Sequence, residues 1–313
     1  MKFFDKQQTA DALPYDALIE AIEQMFKQEC VVPRRHNHAI DSDDAGATLL
    51  IMPAWQKNRY LGIKHVTIYP DNGKKFGLAG LFSTYTLFDA SNGMPIAVID
   101  GNTITCQRTA AASALAAKFL ARKESKRLLI VGAGNVAREL AFAYGELFDL
   151  DTIKIWNTNY ERAVKLADEL QSKGFSATAV EDLQEAVENS DIVSCATLST
   201  GPLIKRDWVK PGTHVDLIGS FKPDMRESDD AMFADTSVFV DTSEALDKAG
   251  DLLSPISAGV FQRDQVKADL AALCQGQHRG RTDEYEITVY KAVGTAMEDL
   301  AAAILVYENN MND

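Results

Sequence analysis

The sequence predicts an α/β protein in which a doubly wound parallel sheet is inserted into a discontinuous α+β domain. From Arg127 onward, strand-like runs alternate with helical segments, which is typical of βαβ units with parallel strands. The residues before Arg127 are too many for a linker, and they hold helical and strand-like runs of their own. The segment 287–310 reads as one closing helix with no strand after it, so we expect it to return to the N-terminal sheet. The expected domains are therefore residues 1–118 with 285–313, and residues 119–284.

The composition is that of an ordinary globular protein with an acidic surface. The net charge is −13, and a nucleic-acid-binding surface needs a basic field, so the charge argues against that class of partner. No apolar run reaches the roughly 20 residues of a membrane span, and the N-terminus lacks the apolar core of a signal peptide. Four scattered cysteines without a Cys-x-x-Cys pair predict reduced thiols and a cytoplasmic protein. Cys30, His36 and His38 fit no familiar zinc spacing, so we expect no metal site.

The N-terminal part begins with a predicted amphipathic helix. Apolar residues recur at helical spacing in "DALPYDALIEAIEQMFKQE", and Asp16 stands where a capping residue would. Four strand-like runs follow, with a turn at residues 91–93 between the last two, which predicts a meander or a mixed sheet. These runs are "ATLLIMPAW", "YLGIKHVTIYP", "GLFSTYTLFD" and "MPIAVIDG". The alanine-rich "TITCQRTAAASALAAKFLAR" then predicts a closely packed helix.

The part from Arg127 onward predicts five strands of a parallel sheet wound right-handed. The expected strands are "RLLIVGAG", "TIKIWN", "DIVSCATL", "THVDLIGS" and "SVFVDT". The helices between them are "NVARELAFAYGELF", "YERAVKLADELQSKG" and "DLQEAVENS".

The first turn of this part predicts a Rossmann-like dinucleotide site. Gly132 and Gly134 follow a strand and open a helix, with Ala137 at the third position of G-x-G-x-x-G/A. The first glycine permits the tight turn, and the second lets the backbone approach a pyrophosphate at the helix N-terminus. The residues expected to contact the cofactor here are Gly132, Ala133, Gly134, Asn135 and Val136.

The residues after the second strand favour NADP(H), with NAD(H) as the alternative. Units that prefer NAD usually carry Asp or Glu there to bind the ribose 2′-hydroxyl. This chain has Asn157, Thr158 and Asn159 instead, and Arg162 follows one turn into the helix. Without a carboxylate nothing repels a 2′-phosphate, and Arg162 could pair with one. Arg162 could equally be a solvated surface charge.

Three basic positions of the first part have apolar or small neighbours. Lys64 lies in the strand-like "LGIKHVTIYP", where an inward lysine needs an anionic partner. Arg108 opens a helix beside Thr109, whose hydroxyl could reach a cofactor phosphate. Of Arg34 and Arg35, strand alternation would send only one toward a cleft. Each alone is more often a surface charge, but together they suggest a pocket for a small carboxylate.

The chain resembles the ornithine cyclodeaminase/μ-crystallin family over nearly its full length. The matching stretches are "VVPRR", "IMPAW", "LGIKHVTIYP", "RTAAASALAAKFLA", "VGAGNVA", "HVDLIGSFKPDMRE", "ALDKAGDLL" and "YKAVGTAMEDLAAA", in the family's order. The resemblance implies a Rossmann-like domain inserted in a substrate domain whose sheet also makes a homodimer. It implies that Lys64, Arg108 and Arg35 contact the substrate carboxylate and the reacting centre. Thr197 and Gly219, at the carboxyl ends of predicted strands, are further expected cofactor contacts.

Two positions favour the ketimine reductase branch of this family. Ornithine cyclodeaminases carry one acid after a strand and another before the "MP" pair, whereas this chain has Phe221 and Leu50 near those places. A diamino acid would then leave a buried charge unpaired, at a cost of several kcal/mol. The stretch "GSFKPDMRE" resembles the branch that includes Δ1-pyrroline-2-carboxylate and Δ1-piperideine-2-carboxylate reductases.

We therefore expect hydride transfer to the C=N carbon of a cyclic 2-imino acid, giving L-proline or L-pipecolate. Arg35 and Arg108 would hold the carboxylate, and Lys64 would bind it or donate a proton. Asp216 and Asp224 are candidates to stabilise an iminium, although capping roles suit them better. Cys195 suits a wall residue better than a nucleophile. Three alternatives stay open: cyclodeamination of ornithine, reductive amination of a 2-oxo acid, and a non-catalytic binder that retains NADPH.

Overall fold

The computed structural model describes residues 1–44 and 46–311. It divides into two compact units. The first unit comprises residues 1–109 and 295–313, and the second comprises residues 110–294. The sequence predicted boundaries near residues 118 and 285. In the structure the first unit ends at residue 109 and resumes at residue 295. No helix among the described residues is both long and apolar enough to cross a membrane.

The secondary structure alternates between strands and helices, numbered here in chain order. The strands are β1 (Lys2–Phe4), β2 (His36–Ala39), β3 (Thr48–Trp55), β4 (Tyr60–Ile68), β5 (Leu81–Asp89), β6 (Pro95–Asp100), β7 (Arg127–Val131), β8 (Thr152–Trp156), β9 (Ala177–Ala179), β10 (Ile192–Cys195), β11 (His214–Leu217), β12 (Ser237–Val240), β13 (Ala268–Asp269) and β14 (Thr288–Lys291). The helices are α1 (Lys6–Asp11), α2 (Tyr15–Lys27), α3 (Asn72–Phe76), α4 (Gly101–Leu120), α5 (Asn135–Leu147), α6 (Tyr160–Ser172), α7 (Leu183–Glu188), α8 (Ala245–Lys248), α9 (Gly250–Ser257), α10 (Leu270–Cys274) and α11 (Ala296–Asn309).

The first unit is built on a six-stranded mixed sheet in the order β1-β6-β5-β4-β3-β2. β1 pairs with β6 in parallel, and the other neighbours are antiparallel. The four predicted strand runs form β3 to β6, while β1 and β2 were not predicted. Helix α11 packs on β3, β4 and β5 and against α2. The sheet face beneath α11 therefore lies in the core of this unit.

Helix α2 has the predicted apolar face but a different start. Its buried residues are Leu18, Ile19, Ile22, Met25 and Phe26. The residue at its N-cap is Pro14, and Asp16 lies in the first turn without capping it. The carboxylate there still stabilises the helix through the macrodipole.

The second unit is built on an eight-stranded parallel sheet in the order β13-β12-β14-β11-β10-β7-β8-β9. The chain runs outward through β7, β8 and β9 on one side and starts again with β10 on the other side. β7 and β10 are therefore the switch point at which open α/β sheets bind ligands. The predicted fold class is confirmed.

The segment after Ile287 corrects the predicted closing helix. Residues 288–291 form β14, which lies between β11 and β12, and α11 begins only at Ala296. All four residues of β14 are buried. Its β-branched and aromatic residues suit a strand covered on both faces. Because both faces of β14 are buried, its sequence does not show the alternation of a half-buried strand, which explains the error.

Candidate active site

Lys64 is a buried cation on the covered face of the first unit's sheet. Because strand residues alternate between faces, Gly62, Lys64 and Val66 of β4 point to the buried side. Lys64 is only 2% exposed. Its Nζ donates to Asp299 Oδ1 at 2.7 Å and to Thr105 Oγ1 at 3.2 Å. Two of its three N–H donors thus have partners among the described residues.

Arg108 joins Lys64 through a shared carboxylate. It lies on α4, one turn after Thr105, and is 6% exposed. Its Nε donates to Asp299 Oδ1 at 2.9 Å, and its Nη1 donates to Glu298 Oε2 at 2.6 Å. The four side chains Lys64, Arg108, Glu298 and Asp299 form what we call the cation cluster.

The two acids of the cation cluster were missed by the sequence analysis. Glu298 and Asp299 lie in the first turn of α11, where Thr295 and Glu298 form a capping box. The pattern T-x-x-E before an apolar run announces such a helix start. Nothing local in the sequence shows that the helix start would meet Lys64, which is 235 residues away along the chain.

The surroundings of the cation cluster shift the pKa values of Lys64 and Asp299. Burial lowers the pKa of Lys64 to about 8, Asp299 acts against the change, and the charges of Arg108 and Arg35 add to it. Burial alone would raise the pKa of Asp299, but Lys64 and Arg108 outweigh it and hold that pKa below its ordinary value. A cluster of this kind can bind an anion and supply a proton near neutral pH.

The two arginines of "VVPRR" differ in exposure. Arg34 is exposed, whereas Arg35 is half-buried. Arg35 also lies close enough to Lys64 for its charge to lower that residue's pKa. The structure therefore brings Lys64, Arg108 and Arg35 into one region of the first unit.

The glycine turn of the second unit has the geometry that a dinucleotide needs. Gly132 has φ +117°, and a Cβ there would lie 2.6 Å from the carbonyl oxygen of Ala196. Gly134 is the N-cap of α5 and has an extended backbone. Because glycine has no side chain, no side-chain hydrogen bond caps the helix at this position. A Cβ on Gly134 would have no heavy atom within 4 Å. Ala137 is fully buried, as close packing of helix and strand requires.

These residues fit a bound pyrophosphate. The first N–H groups of α5 have no side-chain acceptor at the N-cap, and the helix dipole favours an anion there. Asn135 is exposed, and Ala133 and Val136 are half-buried beside it. The five residues from Gly132 to Val136 thus remain the proposed pyrophosphate contacts.

The residues after β8 have local roles of their own. Asn159 is the N-cap of α6, and its Oδ1 accepts the backbone N–H of Arg162 at 3.3 Å. Asn157 donates its side-chain amide to the carbonyl of Asn159 at 3.0 Å. Thr158 and Arg162 are exposed. This end of the site therefore presents polar groups and one cation without a carboxylate in the turn itself.

Thr197 and Gly219 lie after β10 and β11, and a buried acid connects them. Glu227 accepts the backbone N–H and the hydroxyl of Thr197 and the backbone N–H of Gly219, at 2.7 to 2.8 Å. Burial raises the pKa of Glu227, while Lys291 and the donors from Thr197 oppose the rise. Sequence reasoning missed Glu227, although it stands within the quoted stretch "GSFKPDMRE".

Comparison with known proteins decides the family. The model of the ornithine cyclodeaminase/mu-crystallin family matches residues 3–313. The chain belongs to this family. The Δ1-pyrroline-2-carboxylate reductase of Colwellia psychrerythraea is 34% identical, over 98% of this chain and 99% of the relative.

Two solved structures are similar to the whole chain. One is the Δ1-pyrroline-2-carboxylate reductase of Thermococcus litoralis in complex with NADH and L-proline, with a TM-score of 0.94 and 33% identity. That match covers 100% of this chain and 98% of the other. The second is an archaeal alanine dehydrogenase dimer with bound NAD, with a TM-score of 0.92 and 29% identity. It covers 99% of this chain and 96% of the other.

The positions that distinguished branches of the family lie in different units. Leu50 is half-buried in β3 and pairs with Val66 of β4. Phe221 is 38% exposed in the turn after β11. The buried acids that the structure places beside Lys64 and Arg108 are Glu298 and Asp299, and both form ion pairs with these cations.

Two other candidate residues have structural partners, and a third is exposed. Asp216 is fully buried and accepts the hydroxyls of Ser194, Tyr144 and Ser113, at 2.6, 3.0 and 3.3 Å. Burial raises its pKa to about 6. Thr109 donates its hydroxyl to the carbonyl of Thr105 within α4, at 2.6 Å. Asp224 is exposed on a turn.

Cys195 and Cys30 show no sign of an activated thiol. Cys195 is fully buried, and burial raises its pKa well above the ordinary value. Burial likewise raises the pKa of Cys30 to about 11. No group of three or more potential metal ligands occurs among residues 1–44 and 46–311.

Proposed function

We propose that this protein reduces the C=N bond of a cyclic 2-imino acid, Δ1-pyrroline-2-carboxylate or Δ1-piperideine-2-carboxylate, to L-proline or L-pipecolate. The observation that carries the proposal is the buried cation cluster, in a chain similar over its full length to Δ1-pyrroline-2-carboxylate reductases. Arg108 and Arg35 hold the substrate carboxylate, because a guanidinium binds a carboxylate in a fixed geometry. The glycine turn from Gly132 to Val136 would hold a reduced nicotinamide dinucleotide, whose chemistry when bound would be hydride donation to the imine carbon.

Lys64 is the proposed proton donor to the imine nitrogen. It has an N–H beyond the two bonded to Asp299 and Thr105. Its pKa of about 8 keeps it largely protonated at neutral pH, yet allows it to release a proton. Asp299 holds the ammonium in place and favours its charged form.

The proposal is tested by assaying the oxidation of NADPH with five- and six-membered cyclic imines. Turnover is expected with at least one ring size, and faster turnover with NADPH than with NADH. The absence of a carboxylate at residues 157–159 and the exposed Arg162 support NADPH, while the Thermococcus litoralis reductase with NADH makes that cofactor the necessary comparison. Release of ammonia and proline from L-ornithine, without imine reduction, would identify a lyase instead. Tight NADPH binding with no turnover of any imine would identify a binder.

Reductive amination is a second candidate, favoured by the similarity to the archaeal alanine dehydrogenase. It would use the same carboxylate-binding cations with pyruvate and ammonia or methylamine. Turnover of these acyclic substrates, faster than that of both cyclic imines, would make it the principal activity.

Turnover is expected to fall as the pH rises through about 8. Lys64 can donate a proton only in its ammonium form, and its lowered pKa means that this form declines about tenfold per pH unit above that value. Measuring kcat and KM separately across this range checks the role. If Lys64 only binds the carboxylate, KM rises while kcat stays flat, and the proton-donor assignment is wrong.

We also propose a homodimer. The face of β4 opposite Lys64 carries Leu61 and Ile63, which line a cavity of about 550 Å³ together with Trp55 and Phe88. An apolar sheet face of this kind suits coverage by a second copy, and the archaeal alanine dehydrogenase is a dimer. Light scattering should give the mass of two chains.

A further inference from the structure

The turns after β10 and β11 are joined by one buried side chain. Glu227 is fully buried, and its Oε1 accepts the backbone N–H of Thr197 at 2.7 Å and its hydroxyl at 2.8 Å. Its Oε2 accepts the backbone N–H of Gly219 at 2.7 Å. Both oxygens accept N–H groups, which a carboxyl group with two acceptor oxygens can do and a carboxamide with one cannot.

The two turns also touch directly, so the position of one fixes the other. A Cβ on Gly219 would lie 2.0 Å from the carbonyl oxygen of Thr197 and 2.4 Å from Glu227 Oε1. No side chain fits in that space. Because the two backbones lie this close, a single carboxyl group, that of Glu227, can accept the N–H of Thr197 and the N–H of Gly219.

The backbone of Glu227 is fixed by hydrogen bonds of its own. Its backbone N–H donates to Asp251 Oδ1 at 2.8 Å, and its carbonyl accepts the N–H groups of residues 203 and 204. Lys291 Nζ lies 3.5 Å from Asp251 Oδ2 and donates to the carbonyl of Leu217, the last residue of β11, at 2.9 Å. A chain of polar contacts therefore connects β11 to Lys291, Lys291 to Asp251, and Asp251 to the backbone of Glu227.

We propose that Glu227 is a positioning residue for the cofactor, which sets the places of Thr197 and Gly219 at the carboxyl edge of the second unit's sheet. The inference rests on the proposed function, since it takes these two residues as cofactor contacts. β10 adjoins β7 at the switch point, and Gly132 at the end of β7 would place a Cβ within 2.6 Å of Ala196, the residue before Thr197. A shift of the Thr197 turn would thus alter the surface beside the glycine turn.

The test replaces Glu227 by glutamine and measures the Kd for NADPH by its fluorescence, at a temperature well below unfolding. Glutamine keeps the shape but presents an N–H₂ group to one of the donors, so we expect about tenfold weaker binding. The matched control is Asp191→Asn. Asp191 is also buried and accepts two backbone N–H groups, from Lys126 and Arg127, but it lies at the amino end of β10. It should lose stability and keep the wild-type Kd.

The outcomes separate this inference from the proposed function. A wild-type protein that binds no nicotinamide dinucleotide contradicts the proposed function itself. If the wild type binds and the Glu227→Gln variant binds within twofold while its Tm falls like that of the control, Glu227 is structural only and the inference is wrong. Should glutamine prevent folding, Glu227→Asp decides. It keeps the carboxyl group but is too short to reach both turns, and the same tenfold loss is expected.

Discussion

Replacing Lys64 by methionine is expected to lower kcat for the preferred cyclic imine by about 10²- to 10⁴-fold, the usual contribution of a general acid. Methionine keeps the length and the apolar stem of the side chain and removes its proton and charge. Cofactor affinity should stay unchanged, because Lys64 belongs to the first unit and the glycine turn to the second. Steady-state kinetics with each substrate in turn, together with a cofactor titration, make the measurement.

Stability must be separated from catalysis in this experiment. Lys64→Met leaves Asp299 buried with Arg108 as its remaining cation, and breaking a buried pair can cost about 3–5 kcal/mol of unfolding free energy. The double variant Lys64→Met/Asp299→Asn removes the excess charge, so it should regain stability without regaining activity. Lys123, exposed in the turn after α4, supplies the control, and Lys123→Met should match the wild type in both properties. Turnover within a few-fold of wild type in the stable double variant would show that Lys64 is not the proton donor.

Gly134→Ala is expected to weaken cofactor binding at least tenfold while leaving the fold intact. The backbone of Gly134 is extended and open space surrounds the position of a Cβ, so alanine brings no strain in the protein alone. Replacing glycine at such a position can even stabilise the fold by about 0.4–1 kcal/mol through the unfolded state. The new methyl group would instead meet the pyrophosphate that the backbone must approach.

Gly132→Ala is the matched comparison, because it should lower the stability of the fold, whereas Gly134→Ala should weaken cofactor binding. Alanine there would have to adopt φ +117° with its Cβ 2.6 Å from a backbone oxygen, so the fold itself should be destabilised by several kcal/mol. Thermal unfolding and fluorescence titration of both variants distinguish the two effects. If Gly134→Ala binds NADPH as tightly as the wild type, the pyrophosphate does not lie at this turn.

Local sequence was enough to predict the glycine turn and to single out Lys64 as a cation that would need an anionic partner if it faced inward. A tight turn between strand and helix imposes its own residue types, and alternation along a strand decides which side chains share a face. Alternation left Arg34 and Arg35 open, and only the family resemblance pointed to Arg35 and Arg108 as substrate contacts. Local reasoning failed for β14, whose buried run does not show alternation and whose place between β11 and β12 depends on strands far away along the chain.

The sequence by itself determined which residue types stand at the turns, where the cations lie, and to which family the chain belongs. Only the tertiary structure decided that Asp299 binds both Lys64 and Arg108, and that Glu227 joins Thr197 to Gly219. The physical reason is that a buried charge must find a partner, and the partner is chosen by which elements pack together rather than by nearness along the chain.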